Sequence, residues 1–233
     1  FIYESAGLYG RSSVRKVCTL TGEVLKSVTL PHRYFAEGLT IVDNSIYLLT
    51  WQERTLLIYD LLTLELKDIR AFKTVTGQGW GMAYDGKHLI VTDGSHYISK
   101  FDVPEEGSDK EMKAVQQIEV TDKGGNKIGH LNDIEYINGY FYCNVWYKDY
   151  ILKIEPATGN VLEVYDLRKL YPPRKRIPSA DCLNGIAYNK SDGSVLLTGK
   201  QWPKYYVVQL EDTEPEVERR NIVLNGADVN YSR

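Results

Sequence analysis

The chain has 233 residues, 43% of them apolar and 25% charged, with a formal net charge of -3. That is enough for one large core or two small ones, and the near balance of charge points to no nucleic-acid or membrane partner. Tyrosine, at 18 residues, is the outlying component, and together with short β-branched runs it favours an all-β fold. No run approaches the roughly 18 apolar residues that a membrane-crossing helix needs, and no signal peptide is legible. The chain opens without Met and inside a repeat, so a trimmed upstream segment is expected.

Taken in order, residues 2–7, 14–18 and 24–30 read as the last three strands of a unit whose first strand is missing, with Gly22 supplying a turn. The full pattern is clearest over 37–51. Glu37 opens a strand, Asp43-Asn44 forms a two-residue turn, and Trp51 closes the return strand. It returns at 80–94 with a turn at Asp85-Gly86, at 132–146 with a turn at Asn138-Gly139, and at 184–200 with a longer turn from Asn189 to Ser194. Further strands are expected at 56–60, 65–72, 97–103, 114–120, 151–154 and 161–167, with an acidic loop at 104–110. Residues 221–224 fit a last outer strand, and 225–233 a frayed tail. Four strands per unit, repeating at steps of 43 to 52 residues, predict a single five-bladed β-propeller over 1–233 with its first blade incomplete.

Antiparallel pairing brings the start of one strand beside the end of the next. Opening residues Glu37, Trp80, Asn132 and Asn184 therefore share an end with closing residues Gly7, Trp51, Gly94, Trp146 and Lys200. Arranged radially, they form a double ring at one mouth of the propeller. The connector 168–179, with Pro172-Pro173 and five Lys or Arg, belongs to the same mouth as a solvated loop or as a rim suited to acidic substrates or a partner. His96 and His130 fall near the mouth but show no ligand spacing. Cys143 is expected as a buried thiol, and no spacing rule supports a Cys18–Cys182 bridge.

The sequence carries no Gly-x-Ser-x-Gly elbow, Walker loop, HExxH or CxxC motif. What remains is one ring carboxylate, Glu37, among indoles. Such surroundings raise a carboxyl pKa toward the range useful for general acid–base work. Lys200 and Asn132 are donors able to stabilise an oxyanion, and Trp51, Trp80 and Trp146 are flat walls for an amine or an apolar stem. The plain alternative is a ring that merely satisfies channel waters.

Several strings in order, Phe35-Ala36-Glu37-Gly38-Leu39-Thr40, Leu49-Thr50-Trp51, Gly79-Trp80-Gly81, Leu131-Asn132-Asp133, Asn144-Val145-Trp146, Leu183-Asn184-Gly185 and Thr198-Gly199-Lys200-Gln201-Trp202, resemble the plant-type glutaminyl cyclases. The resemblance runs from residue 3 to about 210. It implies a five-bladed propeller that converts the N-terminal glutamine of peptides to pyroglutamate and releases ammonia. It further implies Glu37 as proton carrier, Asn132 and Lys200 as oxyanion donors, and Phe35, Trp51, Trp80, Trp146 and Asn184 around the substrate. The implied partners are peptides or proteins with N-terminal glutamine. The expected enzyme is a monomer without cofactor, a structural calcium in the channel being compatible with it. The resemblance favours an extracytoplasmic compartment, while the sequence itself names none. Gln78 and Asp133 depart from the family pattern, which has Glu at both, and its Phe-Thr-Gln-Gly-Leu stretch is not in this chain. The competing readings are a calcium-dependent propeller hydrolase of the lactonase kind, whose oxygen ligands converge on the axis, and a non-catalytic binding scaffold.

Overall fold

The computed structural model describes residues 1–105, 107–108, 110–210 and 229–230. They form five small sheets arranged as a five-bladed β-propeller, as the repeat predicts. Blade one holds β1 (Ile2–Ala6), β2 (Ser13–Val17) and β3 (Val24–Thr29); blade two holds β4 (Ala36–Val42), β5 (Ser45–Thr50), β6 (Thr55–Asp60) and β7 (Leu66–Lys73). Blade three is built from β8 (Met82–Tyr84), β9 (His88–Thr92) and β10 (Tyr97–Asp102), then passes through β11 (Met112–Lys113) to β12 (Gln116–Glu119). Blade four contains β13 (Leu131–Ile137), β14 (Tyr140–Val145), β15 (Tyr150–Ile154) and β16 (Val161–Asp166); blade five contains β17 (Leu183–Asn189), β18 (Ser194–Gly199), β19 (Lys204–Val208) and β20 (Val229–Asn230).

The blades are not uniformly four-stranded. Blade one has three strands, and β11 leaves the acidic loop of blade three to pair in parallel with β7 of blade two, Met112 opposite Phe72. Residues 221–224 lie outside the described residues. Within the stretch read as a tail, Val229 and Asn230 pair with Tyr205 and Lys204. The turn placed at Asp85-Gly86 centres instead on Gly86 and Lys87. There the Asp85 carboxylate accepts the N–H groups of Lys87 (2.9 Å) and His88 (2.7 Å) and so fixes the loop.

The middle strands are buried on both faces because each blade is covered by two neighbours. On β5, Ile46 and Leu48 enter the core between blades one and two, while Tyr47 and Leu49 enter the core between blades two and three. Period-two alternation thus feeds two different interfaces from one continuous apolar run. Equivalent cores join blades three and four through Ile90, Phe141 and Leu152, and blades four and five through Ile151, Ile186 and Leu197. Blades five and one also meet through polar groups, with Glu4 accepting from Tyr205 Oη and pairing with Arg15 at 2.8 Å. All three cysteines are free, and Cys143 is fully buried as expected.

One device recurs in the complete blades. Ala36 pairs with Thr50 and Leu39 with Leu48, so Glu37 and Gly38 together oppose Leu49. The same two-against-one bulge sets Asn132 and Asp133 against Asn144, and Asn184 and Gly185 against Thr198. In blade three, Trp80 N–H donates to Thr92 O (3.0 Å) and Thr92 N–H donates to Gly81 O (3.1 Å), which is the same arrangement. Bulges bend a strand and re-aim its side chains. Here they turn the opening residue of each complete blade toward the mouth.

Candidate active site

In blades two, three and four the second residue of the bulge touches the next blade, whereas in blade five Gly185 N–H donates back to Asn144 Oδ1 of blade four at 3.3 Å. Gly38 N–H donates to Trp80 O at 2.8 Å. A Cβ on Gly81 would come within 2.3 Å of Asn132 O and 2.7 Å of Asp133 Cα, so only glycine allows these two bulges to close together. Thr92 then ties them, accepting from Gly81 N–H (2.8 Å) and donating to Asn132 O (2.6 Å). In blade four the second residue is Asp133, whose carboxylate reaches on to accept Ile186 N–H at 2.8 Å. Two positions along β13, Glu135 accepts Tyr188 N–H at 3.3 Å. The inner edge of β17 is satisfied by carboxylates of its neighbour.

Above these bulges stand the side chains that the sequence singles out. Phe35 and Trp51 meet edge to face with centroids 5.6 Å apart, and Trp80 and Trp146 do so at 5.5 Å. A Cβ on Gly94 would lie 2.6 Å from the Trp80 ring, which explains a glycine at that closing position. Two further residues complete the aromatic wall. The side-chain oxygen of Gln78 accepts both Trp51 Nε1 (2.7 Å) and Trp80 Nε1 (2.9 Å), locking two indoles to one group. Tyr9 packs on Phe35 at 5.2 Å and donates its hydroxyl to Glu53 at 2.7 Å, a bond that pushes the phenol up to about 12. Gln78 stood out beforehand only as a departure from the family pattern. Tyr9 and Glu53 come from loops whose convergence no local spacing reveals.

Among the described residues, the side chains of Glu37, Asn132 and Lys200 have no hydrogen-bond partner, and Asn132 is only 3% exposed. Asn184 Nδ2 is buried and likewise unpartnered. Polar groups held away from water without partners cost stability, and such groups gathered at one mouth are poised to receive a polar ligand. Glu37 keeps partial access to solvent yet is packed in protein, and burial pushes its carboxyl up to about 8. Lys200 opposes that rise, while Asp133 and Glu53 add to it. Beneath the ring, burial raises Asp133 to about 6 and Glu135 to about 7. Lys200 acts electrostatically on both Glu37 and Asp133, so all three converge from blades two, four and five. His96 lies 3.3 Å from Glu119, and His130 packs near Trp146 at 6.1 Å. Among the described residues no group of three or more His, Cys, Asp or Glu side chains is placed to hold a metal ion.

The family model described as glutamine cyclotransferase matches residues 1–210. The chain belongs to this family. A glutaminyl-peptide cyclotransferase of Arabidopsis thaliana is 36% identical over 219 residues, a match covering 90% of this chain and 63% of that protein. The chain thus spans somewhat less than two thirds of that curated relative. The crystal structure of Myxococcus xanthus glutaminyl cyclase superposes with a TM-score of 0.76 at 26% identity, covering 90% of this chain and 87% of the other. A protein of unknown function from Bacteroides caccae, at 12% identity and a TM-score of 0.54 over 90% of this chain and 69% of its own, shares the fold alone.

Proposed function

We propose that this chain is a glutaminyl-peptide cyclotransferase, closing the N-terminal glutamine of a peptide into pyroglutamate with loss of ammonia. The observation that carries the reading is the convergence of Glu37, Asn132 and Lys200 from three blades, their side chains without hydrogen-bond partners, at a mouth walled by Phe35, Trp51, Trp80 and Trp146, with burial raising the Glu37 carboxyl. Burial lifts the Glu37 carboxyl to about 8, toward the ordinary range of about 7.7–8.0 for a peptide α-amine, and so narrows the gap between donor and acceptor. A proton then passes between them at little cost, and the neutral amine needed for attack is available in the pocket.

The reaction requires no nucleophile from the protein. The α-amine nitrogen attacks the side-chain amide carbon, the new C–N bond closes the five-membered ring, and the old C–N bond releases ammonia. Glu37 takes the proton that the attacking nitrogen loses and returns it to the departing nitrogen. Asn132 and Lys200 donate to the amide oxygen as it becomes anionic, a contribution worth about 2.7–4 kcal/mol per donor in comparable sites. Phe35, Trp51, Trp80 and Trp146 hold the side chain in the bent geometry that ring closure demands, with Asn184 donating from the fifth blade. In this scheme the enzyme acts without a cofactor and as a monomer.

Ammonia release from a glutamine-initiated dipeptide, with chelator present, tests the reading. Turnover by the native chain that survives the chelator and vanishes in Glu37→Gln supports it. Absence of turnover would return the mouth to the status of a binding site, and loss with chelator would favour a calcium-dependent hydrolase.

A further inference from the structure

Both faces of the propeller carry acids and bases, the turns away from the pocket Asp43, Asp60, Asp85 and Glu155 with Lys87 and Lys190, the mouth Glu53, Asp149 and Asp181 with Arg54 and Lys148. What stands apart is the connector between blades four and five. From Leu167 to Ala180 this segment contains Arg168, Lys169, Arg174, Lys175 and Arg176 and not one acid.

The connector is a firm part of the pocket rim. It leaves β16 where Leu167 N–H donates to Asp149 O (2.8 Å), and it re-enters beside Lys200, where Asp181 N–H donates to Lys200 O (2.8 Å) and Lys200 N–H donates to Cys182 O (2.9 Å). Its middle is anchored by Tyr171, edge to face with Trp202 at 5.1 Å, and by Arg176, which pairs with Asp149 (2.6 Å) and lies over the Trp202 ring at 5.2 Å. Arg168 is occupied by Asp166, its Nε 2.9 Å from the carboxylate. Lys169, and Arg174 and Lys175 on the short 3-10 turn, are exposed; Lys169 feels the Asp166 carboxylate, while Arg174, Lys175 and Lys148 on the adjoining loop have no side-chain partner among the described residues.

Resting on the cyclase reading, we propose that this connector selects peptides carrying acidic residues shortly after the N-terminal glutamine. With the glutamine side chain held between the indoles and Lys200, the following residues leave the pocket across the rim that Lys200 shares with the connector. Unpaired cations on an anchored platform attract acidic chain at long range and favour its residence, an effect that salt screens.

The test compares two peptides, Gln-Ala-Glu-Glu-Ala-amide and Gln-Ala-Lys-Lys-Ala-amide, with Gln-Ala-amide as the reference that lacks charged side chains, at low and high salt. The acidic peptide is expected to show about tenfold higher kcat/KM than the basic one at low salt, through KM, and the difference shrinks at high salt. Joint Lys169→Glu, Arg174→Glu and Lys175→Glu substitution reverses the order and leaves turnover of Gln-Ala-amide unchanged. Equal values for the two peptides, or a preference that survives charge reversal, would overturn the proposal while leaving the cyclase reading intact. If no peptide turns over, the cyclase reading falls, and calorimetric binding of the same peptides still decides the connector's role. Equally tight binding of an acidic peptide that lacks the N-terminal glutamine also overturns it, because the connector would then act apart from the pocket.

Discussion

Asp133 and Ile186 are joined across two blades, the carboxylate accepting the backbone N–H at 2.8 Å from its place at the bulge of β13. This bond fastens the strand that bears Asn132 to the strand that bears Asn184. The same carboxylate also helps raise Glu37. Asp133→Asn keeps an acceptor for Ile186 and removes the charge. Glu37 should then titrate lower, and the acid limb of the kcat/KM–pH profile should move to lower pH with little change in unfolding temperature. Asp133→Ala instead orphans the Ile186 N–H and should cost about 1–3 kcal/mol in chemical unfolding.

Asn132→Ala and Lys200→Ala should each lower kcat by about 100- to 1,000-fold with smaller changes in KM, because their donors act most strongly on the charge that develops at the amide oxygen. Steady-state kinetics on a glutamine-initiated dipeptide checks this. A change confined to KM would show that they bind the ground state only.

Gln78→Leu removes the oxygen shared by Trp51 and Trp80. Both indole N–H groups lose their partner and the rings lose their common tether. The expected outcome is a raised KM of several-fold or more and altered tryptophan fluorescence, with the secondary structure intact by circular dichroism.

Stability should fall as pH rises. Burial lifts Asp133 to about 6, Glu135 to about 7 and Glu37 to about 8, all above the ordinary carboxyl values they regain on unfolding. Between those limits the native state binds more protons than the unfolded chain, so stability declines with pH over that window. The unfolding temperature should be higher at about pH 5 than at about pH 8. Glu135→Gln, which retains an acceptor for Tyr188, should flatten that dependence. A melting temperature that climbs over the same range would contradict the assignment.

Thr92→Val should destabilise the protein by about 1–3 kcal/mol. Thr92 is fully buried, and its hydroxyl both accepts from Gly81 N–H and donates to Asn132 O. Valine keeps the volume, leaves the Gly81 N–H unmet and leaves Asn132 O with only the weak Cys143 thiol donor at 3.9 Å. Because the bond also sets where Asn132 stands, kcat should drop alongside the loss of stability.

The sequence by itself determined the repeat, the strand pairs and which residues open and close them. These depend on local physics, namely period-two alternation, turn residues such as Asn138-Gly139, and side chains whose burial is fixed by the face they occupy. It also brought Glu37, Asn132 and Lys200 to one mouth, since antiparallel register is enough for that. The bulges were half legible, in the glycines that follow Glu37, Trp80 and Asn184, but an extra residue in a strand is seen only against its partner. The tertiary structure alone decided what lies between blades: Gln78 beneath two indoles, Asp133 bound to Ile186, Tyr9 and Glu53 beside Phe35, and the anchored connector. Those contacts join residues far apart in the chain, and the burial that raises Glu37 exists only when the blades close around it.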